Sequence, residues 1–296
     1  MGSSGSSLWV VGSNTHGQLG LPKQSHTPNQ HKHSSPNAQS IPTIRAAEIP
    51  QCVESRDTAT QVAAGETHTA ALLDNGTILT WGSSSFGKLG HRIYNTNDLN
   101  EQESSNAYEQ EVPQLVHFPP RLFGHTPLVF LQVSCGQAHT AAIASDGTVY
   151  TCGYGSNGQL GDGSTSNNDT GLVQVLGVGG SGNLTGITQI AVLESHSLAL
   201  KSDGTMYSWG TNNDGQNGLG TVGGTNPNTP TAITLLTGVD TIGGEGKGYN
   251  FIASKSDGSV FCWGRGDFGQ IGDGTNTADQ GTPTQVLAGA GPSVDG

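Results

Sequence analysis

Charged residues are scarce in this chain of 296 residues: Asp, Glu, Lys and Arg together make up 11%, where an ordinary soluble domain has about 25%. Positive charge is scarcest. Eleven Lys and Arg stand against 23 Asp and Glu, a formal charge of −12, which argues against a nucleic-acid partner, because that affinity rests on clustered cations that displace counterions. No stretch approaches the roughly 18 apolar residues of a membrane-spanning helix, so no membrane partner is expected. The four cysteines, Cys52, Cys135, Cys152 and Cys262, form no CxxC pair; neither a disulfide scaffold nor a zinc knuckle is indicated, and buried thiols are expected. Residues 1–7, MGSSGSS, lack a basic stretch and precede an apolar run, 8–11, too short for a secretory signal. They read as a tag-like or disordered start, and an intracellular location is the default expectation.

Glycine is what the chain has in excess. At 46 residues, with 13 prolines, Gly and Pro together reach about 20%, below the ~25–30% of low-complexity disorder. A folded chain rich in tight turns is expected, and it repeats itself. Residues 62–90 read VAAGETHTAALLDNGTILTWGSSSFGKLG and residues 133–161 read VSCGQAHTAAIASDGTVYTCGYGSNGQLG, matching without a gap. A third unit spans 190–220, a fourth ends SDGSVFCWGRGDFGQIG at Gly272, and half of a fifth, LWVVGSNTHGQLG, occupies 8–20.

Asn75-Gly76, Asp146-Gly147, Asp203-Gly204 and Asp257-Gly258 lie between alternating apolar runs. Such pairs mark hairpins, because a type I′ turn needs φ > 0 at both central residues. Residues 68–73 are therefore expected to pair with 77–81, 139–144 with 148–152, 196–201 with 205–209, and 250–255 with 259–263. A further strand precedes each hairpin, as at 187–192, and a Pro-flanked run such as 282–287 supplies a fourth. Four short antiparallel strands per unit make a propeller blade. The expected fold is an all-β propeller, a single domain over 8–296 with four complete units and partial blades at the termini. Repeat cores fall at about 8–20, 60–91, 131–164, 187–220 and 239–275. Long loop insertions are expected at about 21–59 and 92–128, emerging on one rim. Joining the two ends gives a blade without middle strands, so an arc of four full blades and a partial one is expected.

The compound motif G-x-x-H-[ST]-x-A-[LI]-x-x-[DN]-G-x-[VILM]-x-x-[WC]-G followed by G-x-L-G resembles the regulator of chromosome condensation repeat family, over more than half of the chain. The resemblance implies a β-propeller, commonly of seven blades, whose repeats serve as protein-interaction surfaces. The first reading is thus a non-enzymatic, monomeric scaffold that holds a protein partner with its rim loops. The second is a guanine-nucleotide exchange factor for a small GTPase, although no segment can be matched residue by residue to an exchange surface. Two units depart from the pattern. Leu193 replaces the motif glycine of the third, and in the fourth Tyr249-Asn250 stands for His-Thr after the longer run 243–248; looser blade packing is expected there.

No catalytic residue, cofactor or metal is expected. His68, His139 and His196 recur at one repeat position, which suits a bond needed in every blade better than a catalytic group needed once. Trp9, Trp81, Trp209 and Trp263, with Cys152 at the equivalent place, are read as ending a strand before glycine and filling gaps between blades. There is no G-x-S-x-G nucleophile elbow. The glycine runs 177–182 and 243–248 lack the G-K-[ST] of a phosphate loop and read as flexible turns. His26, His31 and His33 sit in a polar loop without carboxylate or cysteine partners. The loops 162–169 and 273–279 lack the spaced ligands of a calcium loop and read as tight turns. Sequons at Asn75, Asn168 and Asn183 would matter only in a secreted chain.

Overall fold

The computed structural model describes residues 9–13, 18, 40–46, 58–91, 109–116, 128–275 and 278–287. Blade 1 consists of β3 (Ala59–Ala64), β4 (His68–Leu73), β5 (Ile78–Ser83) and β6 (Glu109–Leu115). Blade 2 consists of β7 (Phe130–Cys135), β8 (His139–Ala144), β9 (Val149–Gly153) and β10 (Asn168–Gln174). Blade 3 is β11 (Ile187–Val192), β12 (His196–Lys201), β13 (Met206–Gly210) and β14 (Thr231–Ile233). Blade 4 is β15 (Thr241–Gly243), β16 (Asn250–Ser254), β17 (Val260–Gly264) and β18 (Gln280–Gln285). An amino-terminal pair, β1 (Trp9–Ser13) and β2 (Ser40–Ala46), forms a separate two-stranded sheet. Every blade is an antiparallel meander in chain order, and the Asx-Gly pairs turn its central hairpin. β18 belongs to blade 4, and among the described residues it shares no sheet with β1 or β2.

Stretches expected as loops contain strands: β2 lies within 21–59, and β6 lies within 92–128. Glu109–Leu115 alternates weakly and carries Pro113, so its pattern is too thin to read alone, yet it pairs along β5. Trp9 also needs correction. It pairs with Ala46 while Gly12 pairs with Ile41, the register in which Leu79 and Gly82 face Leu115 and Gln110. Trp9 therefore takes the place of Leu79, and Val11 that of Trp81. Cys135, Cys152 and Cys262 are buried free thiols, with burial raising each pKa, to about 12 for Cys152 and about 11 for Cys262; Cys52 lies outside the described residues.

The sheets are apolar on both sides, so the core lies between blades. Ala70, Leu72 and Ile78 of blade 1 pack on Val133, Ala142 and Tyr150 of blade 2, and comparable clusters join blades 2 to 3 and 3 to 4. Each fully buried Leu, Ile or Phe contributes about 1.5–3 kcal/mol.

A polar relay runs through the same junctions. The Gln159 carbonyl of blade 2 accepts from Trp209 Nε1 at 2.8 Å and from Ser197 Oγ at 3.0 Å, both in blade 3. Since that hydroxyl proton is committed, His139 Nε2 donates to Ser197 Oγ at 3.0 Å. One junction earlier, His68 Nε2 donates to Thr140 Oγ1 at 2.9 Å, which donates to the Lys88 carbonyl at 2.7 Å. The Gln18 carbonyl likewise takes Trp81 Nε1 and Thr69 Oγ1, seating the amino-terminal half unit against blade 1. Gly161 lets the next indole approach: a Cβ there would stand 2.7 Å from Trp209 Nε1.

A second clasp joins the innermost strands. Gln61 donates to the Val133 carbonyl and accepts from the Val133 N–H, both at 3.0 Å. Gln132 does the same at Ile190, at 3.1 and 2.9 Å, and Gln189 spans the Asp240 carbonyl and the Ile242 N–H. In β3, β7 and β11 a register irregularity falls just before this glutamine. An extra residue there rotates the strand and re-aims the side chain. β15 keeps regular register and has Thr241 at that place.

The departures of the last junction fit together rather than loosening it. Asn250 pairs with Gly264 as His68 pairs with Gly82, so Asn250, not Tyr249, holds the histidine position and Phe251 the hydroxyl position. Leu193 is 1% exposed, and its side chain occupies the space that side chains at Gly244 and Gly248 would need. The His196 ring stands edge-on to Phe251 at 4.9 Å.

Candidate functional site

Because His68 pairs with Gly82, and its counterparts pair likewise, the turn before strand two and the loop after strand three emerge at the same end of each blade. The turns lie nearest the innermost strands. In blade 1 three residues, 65–67, connect strands one and two, whereas in blade 4 six residues, 244–249, do so.

That longer segment reaches across the inner ends of the other blades. Gly246 N donates to the Cys135 carbonyl of blade 2 at 2.8 Å, and Gly246 forms a parallel bridge with Gly136. Lys247 Nζ stands 2.7 Å from Glu66 Oε1 of blade 1. Glu194 N donates to the Gly248 carbonyl, and Tyr249 Oη donates to Glu194 Oε1 at 3.1 Å, both reaching blade 3. Arg265, in the loop after β17, lies 5.2 Å from the Tyr249 ring centre and pairs with Asp267 at 2.8 Å. The run 243–248, expected as a flexible turn, is a packed bridge; a Cβ at Gly244 or Gly248 would stand 3.0 or 2.9 Å from Leu193 Cδ2, so the glycines make room for that side chain.

Charge sets the character of this patch. The Lys247 ammonium holds Glu66 below the usual carboxylate range, while Glu66 pushes Lys247 up. The bond to Glu194 pushes Tyr249 up, and desolvation raises Glu245. Lys88 lies just beneath, its ammonium donating to Thr67 Oγ1 at 2.7 Å, and burial brings its pKa down to about 8.

None of the recurring histidines joins the patch. His68, His139 and His196 are buried in the junctions, and burial lowers their pKa, to about 3 for His139 and His196. Asp162 and Asp273 accept from Ser164 and Thr275 two residues on, the tight-turn geometry expected. His26, His31 and His33 lie outside the described residues, among which no cluster of three or more His, Cys, Asp or Glu could hold a metal ion. The arrangement can recognise a surface through paired charges and a phenol. Its signal in the sequence was only the three extra residues before Asn250.

A family model described as RCC1-like domain matches residues 2–294. The chain is 31% identical over 228 residues to the human E3 ubiquitin-protein ligase HERC2, covering 76% of this chain and 4% of that protein. It is 27% identical over 288 residues to the human RCC1-like G exchanging factor-like protein, covering 94% of this chain and 54% of that one. The structure of human WBSCR16 matches at a TM-score of 0.70 and 23% identity, over 94% of this chain and 61% of that chain. The chain thus spans about half or less of the length of these two relatives.

Proposed function

Because the chain belongs to the RCC1-like domain family, we propose that it is a non-enzymatic interaction module whose strand-turn face holds a protein partner. One observation carries this reading: turns from four blades converge on the bridge 244–249, where Glu66, Glu194, Glu245, Lys247, Tyr249 and Arg265 form one charged patch. Polar and aromatic groups fixed by neighbouring blades lose little freedom on binding, which favours recognition. The patch supplies no nucleophile held against a base, so the described residues support recognition better than catalysis.

The test is affinity capture from cell extract with the wild-type chain, Lys247→Glu, and Lys201→Glu at the opposite end of blade 3, where β12 finishes. A partner lost by Lys247→Glu and kept by Lys201→Glu supports the reading; one kept by both, or lost by both, overturns it. A second reading, nucleotide exchange on a small GTPase, is favoured by the relative named as exchanging factor-like. Fluorescent-nucleotide release across a GTPase panel should stay flat under the first reading and accelerate for one member under the second.

A further inference from the structure

Three of the loops that follow a third strand share a clamp. Gln159 Oε1 accepts from Asn157 N at 3.0 Å, Gln216 Oε1 from Asp214 N at 2.9 Å, and Gln270 Oε1 from Phe268 N at 2.7 Å. Blade 1 carries Lys88 at that place. Its ammonium has no acceptor to offer the Phe86 N–H and points inward instead, donating to Thr67 Oγ1. Phe86 takes φ 64, the one positive φ of a non-glycine among the described residues. For an aromatic residue this is strain, and strain of this kind points toward function.

The turn lays the Phe86 ring on Tyr154 of blade 2, with centroids 4.9 Å apart and planes tilted by 59°, and leaves Phe86 49% exposed. Gly87 makes room for a third member: a Cβ there would overlap Asp169 Cα and stand 2.8 Å from Asp169 Cβ. Asp169 is exposed, and among the described residues no cation pairs with it.

We infer that Phe86, Tyr154 and Asp169 form a seat for an arginine side chain of the protein partner. The inference rests on the reading that this end of the blades holds such a partner, and it adds the partner's chemistry. A guanidinium is planar and weakly hydrated, so it stacks on an exposed ring face while a carboxylate takes its N–H fork. The two rings are already fixed against each other, so little freedom is lost on binding. Charge distinguishes this seat from the bridge 244–249. There the exposed cations Lys247 and Arg265 already hold Glu66 and Asp267, whereas the seat offers a carboxylate that awaits a cation.

The experiment titrates ethylguanidinium chloride into the chain, against sodium chloride at equal ionic strength, and follows the NMR signals of Phe86, Tyr154 and Asp169. They should shift saturably with the guanidinium and stay still with N-ethylurea, its uncharged isostere. Phe86→Leu and Asp169→Asn should each weaken the guanidinium about two- to fivefold, the worth of an exposed cation–π contact or ion pair. Both positions face solvent, so the melting temperature should stay nearly unchanged. Equal shifts with the urea, no saturable shift, or an affinity that either substitution leaves unchanged overturns the inference. In capture from extract, Phe86→Leu should lose the partner that Lys201→Glu keeps. A partner lost by Lys247→Glu but kept by Phe86→Leu overturns the seat alone, whereas one kept by both overturns the reading beneath it.

Discussion

Blades 1 to 3 and blade 4 are built from the same hairpin, yet only the first three project a complete set of holding groups toward their successor. An aimed glutamine and a buried loop carbonyl leave each of them, with a histidine that bonds the next hydroxyl from blades 1 and 2 and stands edge-on to Phe251 from blade 3; blade 4 offers Asn250, Thr241 and an exposed Gln270. The difference teaches that the conserved-looking positions of the repeat serve the junction, not the blade. Blade 4 keeps its sheet, its Asx-Gly turn and its incoming tryptophan, while the positions that reach outward from blades 1 to 3 carry other residues.

The largest expected effect separates a side chain buried in a junction from one beside an open edge. Trp209 is fully buried and bonded to Gln159, so Trp209→Ala should cost about 3–5 kcal/mol. Phe268→Ala, at the tip of the exposed loop, should stay within about 0.5 kcal/mol. Urea midpoints measure both, and comparable losses would break the comparison.

Acid should weaken the inner junctions next. His139 and His196 are held near a pKa of about 3 by burial, while an unfolded histidine titrates near 6.5. Between those values the unfolded chain binds the extra protons, so stability is full above about pH 6.5 and falls as pH drops toward 3. At about 1.4 kcal/mol per pH unit for each histidine, pH 5 should cost about 2 kcal/mol per ring relative to pH 7. His139→Gln should remove its share of the slope; an unchanged slope would assign acid sensitivity elsewhere.

Much of this fold was legible from the residues alone. Asx-Gly pairs between alternating runs located every central hairpin, because the φ > 0 requirement leaves few alternatives. Recurrence rightly placed His68 and His139 in the junctions. Weak outer strands such as Glu109–Leu115 were not legible, since they take their register from the neighbouring strand rather than from their own pattern. Gln61, Gln132 and Gln189 were overlooked, although each stands seven residues before its histidine. Their role depends on a register irregularity that composition does not announce. The run 243–248 reads as a flexible turn and is a packed bridge, because glycine signals freedom in isolation and close packing in context.

The glutamine clasp gives the smallest and most discriminating test. Gln132→Ala leaves the Ile190 N–H and carbonyl without their side-chain partner at a part-buried edge. Losing two such bonds should cost about 1–2 kcal/mol and speed exchange of the Ile190 amide. Installing the missing group at the open edge, Thr241→Gln, should change stability by less than about 0.5 kcal/mol, because β15 lacks the irregularity that aims the side chain and no described strand lies beyond it. If Thr241→Gln stabilised the chain as much as Gln132→Ala weakened it, the glutamine would be acting within its own blade. A null result at 241 beside a clear loss at 132 would place its effect in the next blade's backbone, and the value of each repeat position in its neighbour.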